Sequence, residues 1–370
     1  MTASKNWVLQ FCHSYDGPFL DCARQYAALF VGTPYKVCTV YLTGSPSDEV
    51  VQGSASDEVV FLGYSSRDVR GLKLQAIQDI RKVAATRDFA FCIAHRFKPI
   101  YVALLGTRLP VIGIHHALGD YQRRPRQLFA NFYRKRLTLL GVSNAVRDDL
   151  RACLSGWPAE RIETLYNRID IAAVRAEQLS REEARVFLGL PQDAWVVGNV
   201  GRLHPDKDQA TLIRGFALAL PQLPGQSLLA IMGSGSLEAP LKALAAELEV
   251  SERVRFLGQV PYGRRYFKAF DVFALTSDHE PFGMVLLEAM AAGVPVICSD
   301  CGGGREVVDG VGRLFTRADE HALARTLRQS ATAPKDAPQI AEALLRFSDQ
   351  CVRATFWRLP MMINWRLAAD

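Results

Sequence analysis

The sequence predicts an α/β protein of two doubly wound domains, each a parallel sheet covered by helices on both faces. Three observations point there. Short apolar runs of strand length alternate with stretches of helical periodicity along nearly the whole chain, the pattern of successive βαβ units. The 370 residues suffice for two ordinary domains with a core each. The alternation then starts afresh at Trp195, after a capping box, Ser180-x-x-Glu183, that reads as the passage between domains.

The elements follow in order. Trp7 to Cys12 (WVLQFC) is a first strand, His13 to Pro18 a turn, and a helix runs on to about Phe30. Val37 to Leu42 is a second strand, and the polar, Ser-rich stretch from Ser45 to Asp57 reads as a loop. Val59 to Leu62 is a short strand, Leu72 to Ala85 is helical, and Phe89 to Ala94 and Val111 to His115 are buried-type strands. Leu137 to Val142 is a strand, Ser143 caps a helix through Ala152, and Arg161 to Tyr166 closes the first half. In the second half, strands are predicted at Trp195 to Val200, Leu228 to Met232, Val254 to Gly258, Asp271 to Thr276, Val294 to Cys298 and Gly312 to Phe315. Helical patterns run from Asp319 to Ser330 and from Pro338 to Phe347. In sheets of this kind ligands collect beyond the carboxyl ends of the strands.

Composition narrows the function classes. Apolar residues make up 49% and charged residues 22%, a globular and not a disordered balance. A net charge of +6 suits anionic substrates or an anionic membrane surface and is no argument for nucleic acid. No apolar run is long enough to cross a bilayer. Met1 to Cys12 lacks the apolar core of a signal peptide, so a cytoplasmic location is expected. The eight cysteines are scattered through apolar runs, and the lone Cys298-x-x-Cys301 has no second pair or His at zinc spacing, so no metal site is expected. Gly233-Ser234-Gly235-Ser236 lacks the third Gly of the dinucleotide fingerprint, which argues against NAD.

The richest stretch runs from His279 to Gly293. Glu280 sits in a loop at the end of a strand, a helix begins soon after it, and Glu288 lies about two turns further on. The free N–H groups at the start of that helix attract an anion such as a phosphate. A loop carboxylate, a helix N-terminus and a helix carboxylate can meet at one pocket edge, although solvated acids on an ordinary strand–helix–strand unit would leave the same spacing. Arg202 and Lys207, in the Gly201-to-Lys207 turn after a strand, can neutralise a diphosphate.

The pattern Glu280-x-Phe282-Gly283, then Glu288, then Ala289-x-Ala291-x-Gly293-x-Pro295-Val296, followed by Ser299-Asp300-Cys301-Gly302-Gly303 and Glu306-Val307-Val308, resembles the retaining GT-B glycosyltransferases of family 4. The likeness is strongest from Val196 to Phe315 and thin before Val111. It implies two Rossmann-like domains facing each other across a cleft: residues 1–175 for the acceptor, 176–347 for a nucleotide-sugar donor, and a tail, 348–370, packed back on the first. It places Glu280 by the donor sugar, Glu288 on the ribose, Arg202 and Lys207 on the diphosphate, and a strand-end His in the cleft. His116 matches that His better than His115, though the doublet leaves both open. The catalytic candidates are thus His116 and Glu280. The substrate-binding candidates are Asp16, Gly17, His115, Arg202, Lys207, Gly233, Phe282, Gly283, Met284, Val285 and Glu288, with Phe256 to Val260 near the base. Arg168 stands where the family often has Gly.

The implied reaction moves a glycosyl group from a UDP-, GDP- or ADP-sugar to a glycan or glycolipid, with retention, and needs neither a cofactor nor a metal. Lipopolysaccharide core or another envelope polysaccharide is the implied setting. A UDP-sugar 2-epimerase of the same fold, or a non-catalytic sugar-nucleotide or membrane-surface binding protein, are the rivals. Arg123 to Arg136 carries six basic residues, no acid and three aromatics, Phe129, Phe132 and Tyr133. It reads either as a solvated basic helix with its aromatics turned inward or as a surface for a phosphorylated glycolipid acceptor or for anionic lipid at the inner face of the cytoplasmic membrane. No nucleic-acid motif accompanies the charges.

Overall fold

The computed structural model describes residues 6–333 and 337–367, with side chains placed for 6–333 and 339–363. The chain divides into two units, one of residues 1–167 and 352–370, the other of 168–351. In the first, strands β1 (Trp7–Cys12), β2 (Lys36–Thr43), β3 (Glu58–Tyr64), β4 (Phe89–His95), β5 (Val111–His115), β6 (Leu137–Gly141) and β7 (Ile162–Thr164) form a sheet in the order β3-β2-β1-β4-β5-β6-β7. In the second, β8 (Trp195–Val200), β9 (Ser227–Met232), β10 (Val254–Gly258), β11 (Val272–Leu275), β12 (Val296–Ser299) and β13 (Arg313–Phe315) are ordered β10-β9-β8-β11-β12-β13. Every pairing in both sheets is parallel. This is the GT-B fold's pair of doubly wound sheets. Strands buried on both faces explain why the sequence shows continuous apolar runs and no alternation.

In both sheets the strand order reverses beside the first strand, between β1 and β4 in one and between β8 and β11 in the other. Each reversal leaves a crevice at the carboxyl ends where loops diverge. The residues at issue sit on those ends.

Three expectations need correction. The stretch Ser45 to Asp57 is not all loop: a helix spans Asp48–Gly53, started by Ser47, whose hydroxyl accepts from Val50 N, with Asp48 and Glu49 in the first turn. The domain boundary falls at 167/168 and not at 175, because the helix Ile171–Glu177 packs within the second unit. There Arg175 Nε donates to Ala291 O at 3.4 Å and Glu177 takes Arg264 in a two-pronged ion pair. The tail joins the first unit only from Val352. Trp357 Nε1 donates to Leu29 O (3.0 Å) and Arg353 to Val31 O (2.7 Å). Residues 1–5 and 368–370 of the expected ends lie outside the described residues. Arg168, the replacement for a common Gly, is buried and ion-paired with Asp349. Among the described residues no helix is long and apolar enough to cross a membrane.

Candidate functional site

In the second unit, β8 and β9 end in glycine turns that touch. Gly201 N donates to Met232 O at 3.0 Å and Leu203 N to Ser234 O at 2.9 Å. A Cβ on Gly233 would lie 1.9 Å from Gly201 O, and its φ of +139° is one that side chains rarely adopt. Only glycine fits. Beside these turns opens a cavity of about 400 Å³, lined among others by Gly201, Gly233, Gln259, Val260, Tyr262 and Glu288. Its size suits a nucleoside. Glu288 thus shares a cavity with the glycine turns, whereas Glu280 and the start of its helix are not among the residues lining it. Gly233→Ala is expected to lower Tm, because the added methyl must push the Gly201 turn away. An unchanged Tm would show that the two turns can part without cost.

The loop after β11 supplies the second part. Glu280 is buried, and its Oε2 accepts from Lys207 Nζ at 2.8 Å and from Ser277 Oγ at 3.0 Å. Its carbonyl accepts from Gly303 N at 2.8 Å. A Cβ on Gly302 would lie 2.2 Å from Glu280 O, and one on Gly303 2.2 Å from Pro281 O. The glycine pair thus lets the loop backbone lie directly against the start of the helix Gly302–Val308. On the other side, Thr276 Oγ1 donates to Lys207 O (3.0 Å) and Asp278 N to Asp206 O (3.0 Å). Two turns far apart in sequence are clasped into one.

The helix Met284–Ala291 starts from Gly283, whose φ is +94°, with no side-chain cap. Its first N–H groups, at Met284 and Val285, carry the dipole's positive end. Phe282 is different from the expectation. Its ring is buried and packs edge-on against Phe347 at 5.7 Å, and its N–H points to Glu280 Oε1 at 3.5 Å, so the residue stiffens the loop around Glu280. Arg202 is 70% exposed in its side chain and 3.4 Å from Asp206. Asp206 also holds His204, and Asp208 caps the helix Gln209–Ala219 through Thr211 N. The Asp-Lys-Asp triplet is therefore occupied in shaping the turn. Cys298 and Cys301 direct their thiols at the carbonyls of Ser299 and Ser277.

In the first unit the strand-end histidines have separate tasks. His115 is wholly buried, its Nδ1 2.7 Å from Asp120 Oδ2 and its ring against Tyr121. It braces the strand end, which corrects the expectation of a substrate contact. His116 is part-exposed, and its Nε2 lies 3.1 Å from His95 Nδ1. Burial, with the charges of His115 and Arg96, pushes His116 down to about 3. It is a neutral hydrogen-bonding group at pH 7. Asp16 and Gly17 lie exposed in the turn after β1.

Sequence reasoning missed Ser277, Thr276 and Tyr262, which carry no motif. Of the segment Phe256 to Val260, only the end reaches the cavity: Gln259 and Val260 line it, while Phe256 packs against the core under Lys242.

Comparison with known proteins adds the following. Residues 180–344 match the family model described as Glycosyl transferases group 1, and residues 25–173 that of Glycosyltransferase Family 4. The chain is 39% identical over 181 residues to a D-inositol 3-phosphate glycosyltransferase of Streptomyces coelicolor, a stretch that covers 45% of this chain and 39% of the relative. It spans about two fifths of the length of the first curated relatives it matches. A glycosyltransferase from Rickettsia africae superposes with a TM-score of 0.82 at 14% identity, covering 97% of this chain and 98% of that one. Anabaena HepE, solved with UDP and glucose, superposes with a TM-score of 0.75 at 22% identity, covering 94% and 97%.

Proposed function

For a chain whose residues 25–173 match the Glycosyltransferase Family 4 model and whose residues 180–344 match that of Glycosyl transferases group 1, we propose a retaining, metal-independent transfer of a sugar from a nucleotide-diphosphate sugar to a glycan or glycolipid acceptor. The observation that carries this reading is Lys207 at 2.8 Å from buried Glu280, in a clasp beside the Gly201–Gly233 turns and the cavity that Glu288 lines. UDP in the Anabaena neighbour supports a nucleotide donor. In this reading the nucleoside fills the cavity, and Arg202, Lys207 and the first N–H groups of the helix Met284–Ala291 face the diphosphate. They stabilise the charge that grows there as the anomeric C–O bond breaks. The acceptor hydroxyl oxygen attacks the same face, and its proton passes to the departing phosphate oxygen. These cations do the work a divalent metal does elsewhere, and no cofactor is needed. Of the common sugar nucleotides incubated one by one in excess EDTA without acceptor, the protein's own donor should be slowly hydrolysed, and the released sugar should first appear as the donor's anomer by NMR. Loss of turnover on chelation with rescue by Mg²⁺, or an inverted first product, overturns the mechanism.

The proposal extends to the setting, an envelope polysaccharide such as lipopolysaccharide core, made at the inner face of the cytoplasmic membrane. The helix Arg124–Tyr133 supports a membrane contact by dividing its aromatics. Phe129 packs on Tyr101 (4.8 Å) and Phe97 (6.0 Å), whereas Phe132 and Leu128 are 80% and 71% exposed. Arg124, Leu128 and Phe132 repeat every four residues on that outer face, so exposed apolar groups sit among cations. Leu128→Ser with Phe132→Ser should lower binding to phosphatidylglycerol vesicles with little change in Tm, since neither side chain supports the core. Each cation adds about 1 kcal/mol near an anionic surface, so added salt should weaken binding steeply. Equal vesicle binding by variant and wild type would leave a solvated helix.

A further inference from the structure

The carboxyl end of the first unit's sheet collects cations that, among the described residues, no carboxylate contacts directly. Arg70 follows β3, Lys73 begins the helix Leu74–Ala84, and Arg96 and Lys98 follow β4. Among the described residues, none of the four is in an ion pair. They rest instead on aromatic faces and carbonyls: Arg96 Cζ lies 4.9 Å over the Phe19 ring, Lys73 Nζ 4.9 Å over Tyr101, and Lys73 also donates to Gly71 O at 2.6 Å. Asp120, beyond the end of β5, feels the charge of Arg96 but is in direct contact with His115 and Arg126 instead.

The charges feel one another. Partial burial and the charges of Arg96, Arg70 and Arg126 push Lys98 below its usual value. Burial, then Lys98 and Arg126, do the same to Lys73. Burial, then Lys98 and Arg96, push His13 at the end of β1 down to about 4, so it adds no further charge at neutral pH. Arg96 also acts on His116, so the cluster reaches the strand-end histidine. Two of its members stand on left-handed backbone, Arg96 at φ +72° and Lys73 at φ +57°, conformations that cost free energy unless the surroundings fix them. Arg96 is fixed at its N–H, which donates to Ile114 O at 2.8 Å. The helix Phe97–Gly106 that starts there has no side-chain cap. Like charges gathered without a counter-ion destabilise a fold, and a bound dianion would remove that cost.

We propose that Arg70, Lys73, Arg96 and Lys98 form the binding site for a phosphate carried by the acceptor, so that the acceptor is a phosphorylated sugar or a phosphate-headed lipid and not a neutral glycan end. The word acceptor rests on the transferase reading above; the anion site itself does not. Binding is measured by calorimetry with UDP present, so that the donor's diphosphate site is filled. Two arms separate the sources: glucose 6-phosphate against glucose, and phosphatidylcholine vesicles with or without phosphatidic acid. Wild type should prefer the phosphate-bearing member of at least one pair. A tighter soluble phosphate marks a sugar phosphate, and a tighter vesicle marks a lipid. Arg96→Ala with Lys98→Ala should weaken that binding at least tenfold, while Arg96→Lys retains most of it and UDP affinity is unchanged in both. The helix Arg124–Tyr133 is intact in all variants, so its own lipid contact cancels. No preference for phosphate in either arm, or equal binding by the double variant, overturns the proposal. Failure of wild type to bind any of UDP, GDP and ADP would instead overturn the donor reading, with the anion arms, repeated without nucleotide, still decisive for the cluster.

Discussion

Lys207→Ala is expected to lower kcat/KM at least a hundredfold and to lower Tm by about 6–12 °C. The ammonium has two employments. It pairs with Glu280 at 2.8 Å, where the two side chains are 19% and 8% exposed. It also stands in the turn that faces the donor's diphosphate in the proposed mechanism. Removing one partner of a buried pair costs about 3–5 kcal/mol, since the remaining carboxylate keeps its desolvation and loses its counter-charge. The lower end applies to a lysine with some solvent contact, and about 3 kcal/mol in a domain of this size is about 6–12 °C. A charged hydrogen bond to the diphosphate is worth about 1.5–3 kcal/mol more in the transition state, about tenfold to a hundredfold. Glu280 also loses the group that orients it. The double variant Lys207→Met, Glu280→Gln separates the two roles. It should regain most of the Tm, because Gln can still accept from Ser277 and no charge is stranded, yet stay as inactive as the single variant. Wild-type kinetics in Lys207→Ala would remove the pair from the mechanism.

The elements were legible because both sheets are parallel and covered on both faces. Strands such as Val111–His115 and Val296–Ser299 then appear as compact apolar runs between helices. Boundaries were less so. The helix Ile171–Glu177 has an Asp170 cap and ordinary periodicity, and only its contacts with Ala291 and Arg264 assign it to the second unit. Within the site, Gly233, Gly302 and Gly303 were visible as glycines, but their necessity lies in backbone approaches near 2 Å that no local pattern records. The His115–His116 doublet could not be resolved by counting. Alternation along β5 sends one ring inward to Asp120 and the other toward His95. The clasp between Thr276 and Lys207 joins residues 69 apart, and a polar residue at a strand end, Thr276 or Ser277, looks the same whether or not it has a partner.

The largest stability effect is expected far from that chemistry, at Arg185. Its side chain is wholly buried among backbone carbonyls: Nε donates to Ala269 O (3.0 Å), Nη1 to Pro191 O (2.9 Å), Gln192 O (2.8 Å) and Ala194 O (2.8 Å), and Nη2 to Asp271 Oδ2 at 2.9 Å. Asp271 in turn takes Arg181 at 2.9 Å and Val196 N at 2.9 Å. The network ties the helix Arg181–Leu188 to the amino ends of β8 and β11. Arg185→Ala strands a buried carboxylate and several carbonyls, at a cost of about 4 kcal/mol or more, so Tm should fall by about 8–16 °C. The pH dependence follows from Asp271. Burial pushes its carboxyl up, but the bonds from Arg181 and Val196 and the charges of Arg181 and Arg185 outweigh burial and hold it below the usual range. A group depressed by folding contributes its full stability above the unfolded value of about 4 and loses it as pH falls through the folded value. Wild type should therefore exceed Asp271→Asn in Tm by a constant margin above about pH 5, and the margin should shrink as pH drops below about 4. Because the network lies at the amino ends of the strands, the folded fraction of either variant at low temperature should keep wild-type kcat/KM. A margin that does not change with pH would show that Asp271 is held by its shape and not by its charge.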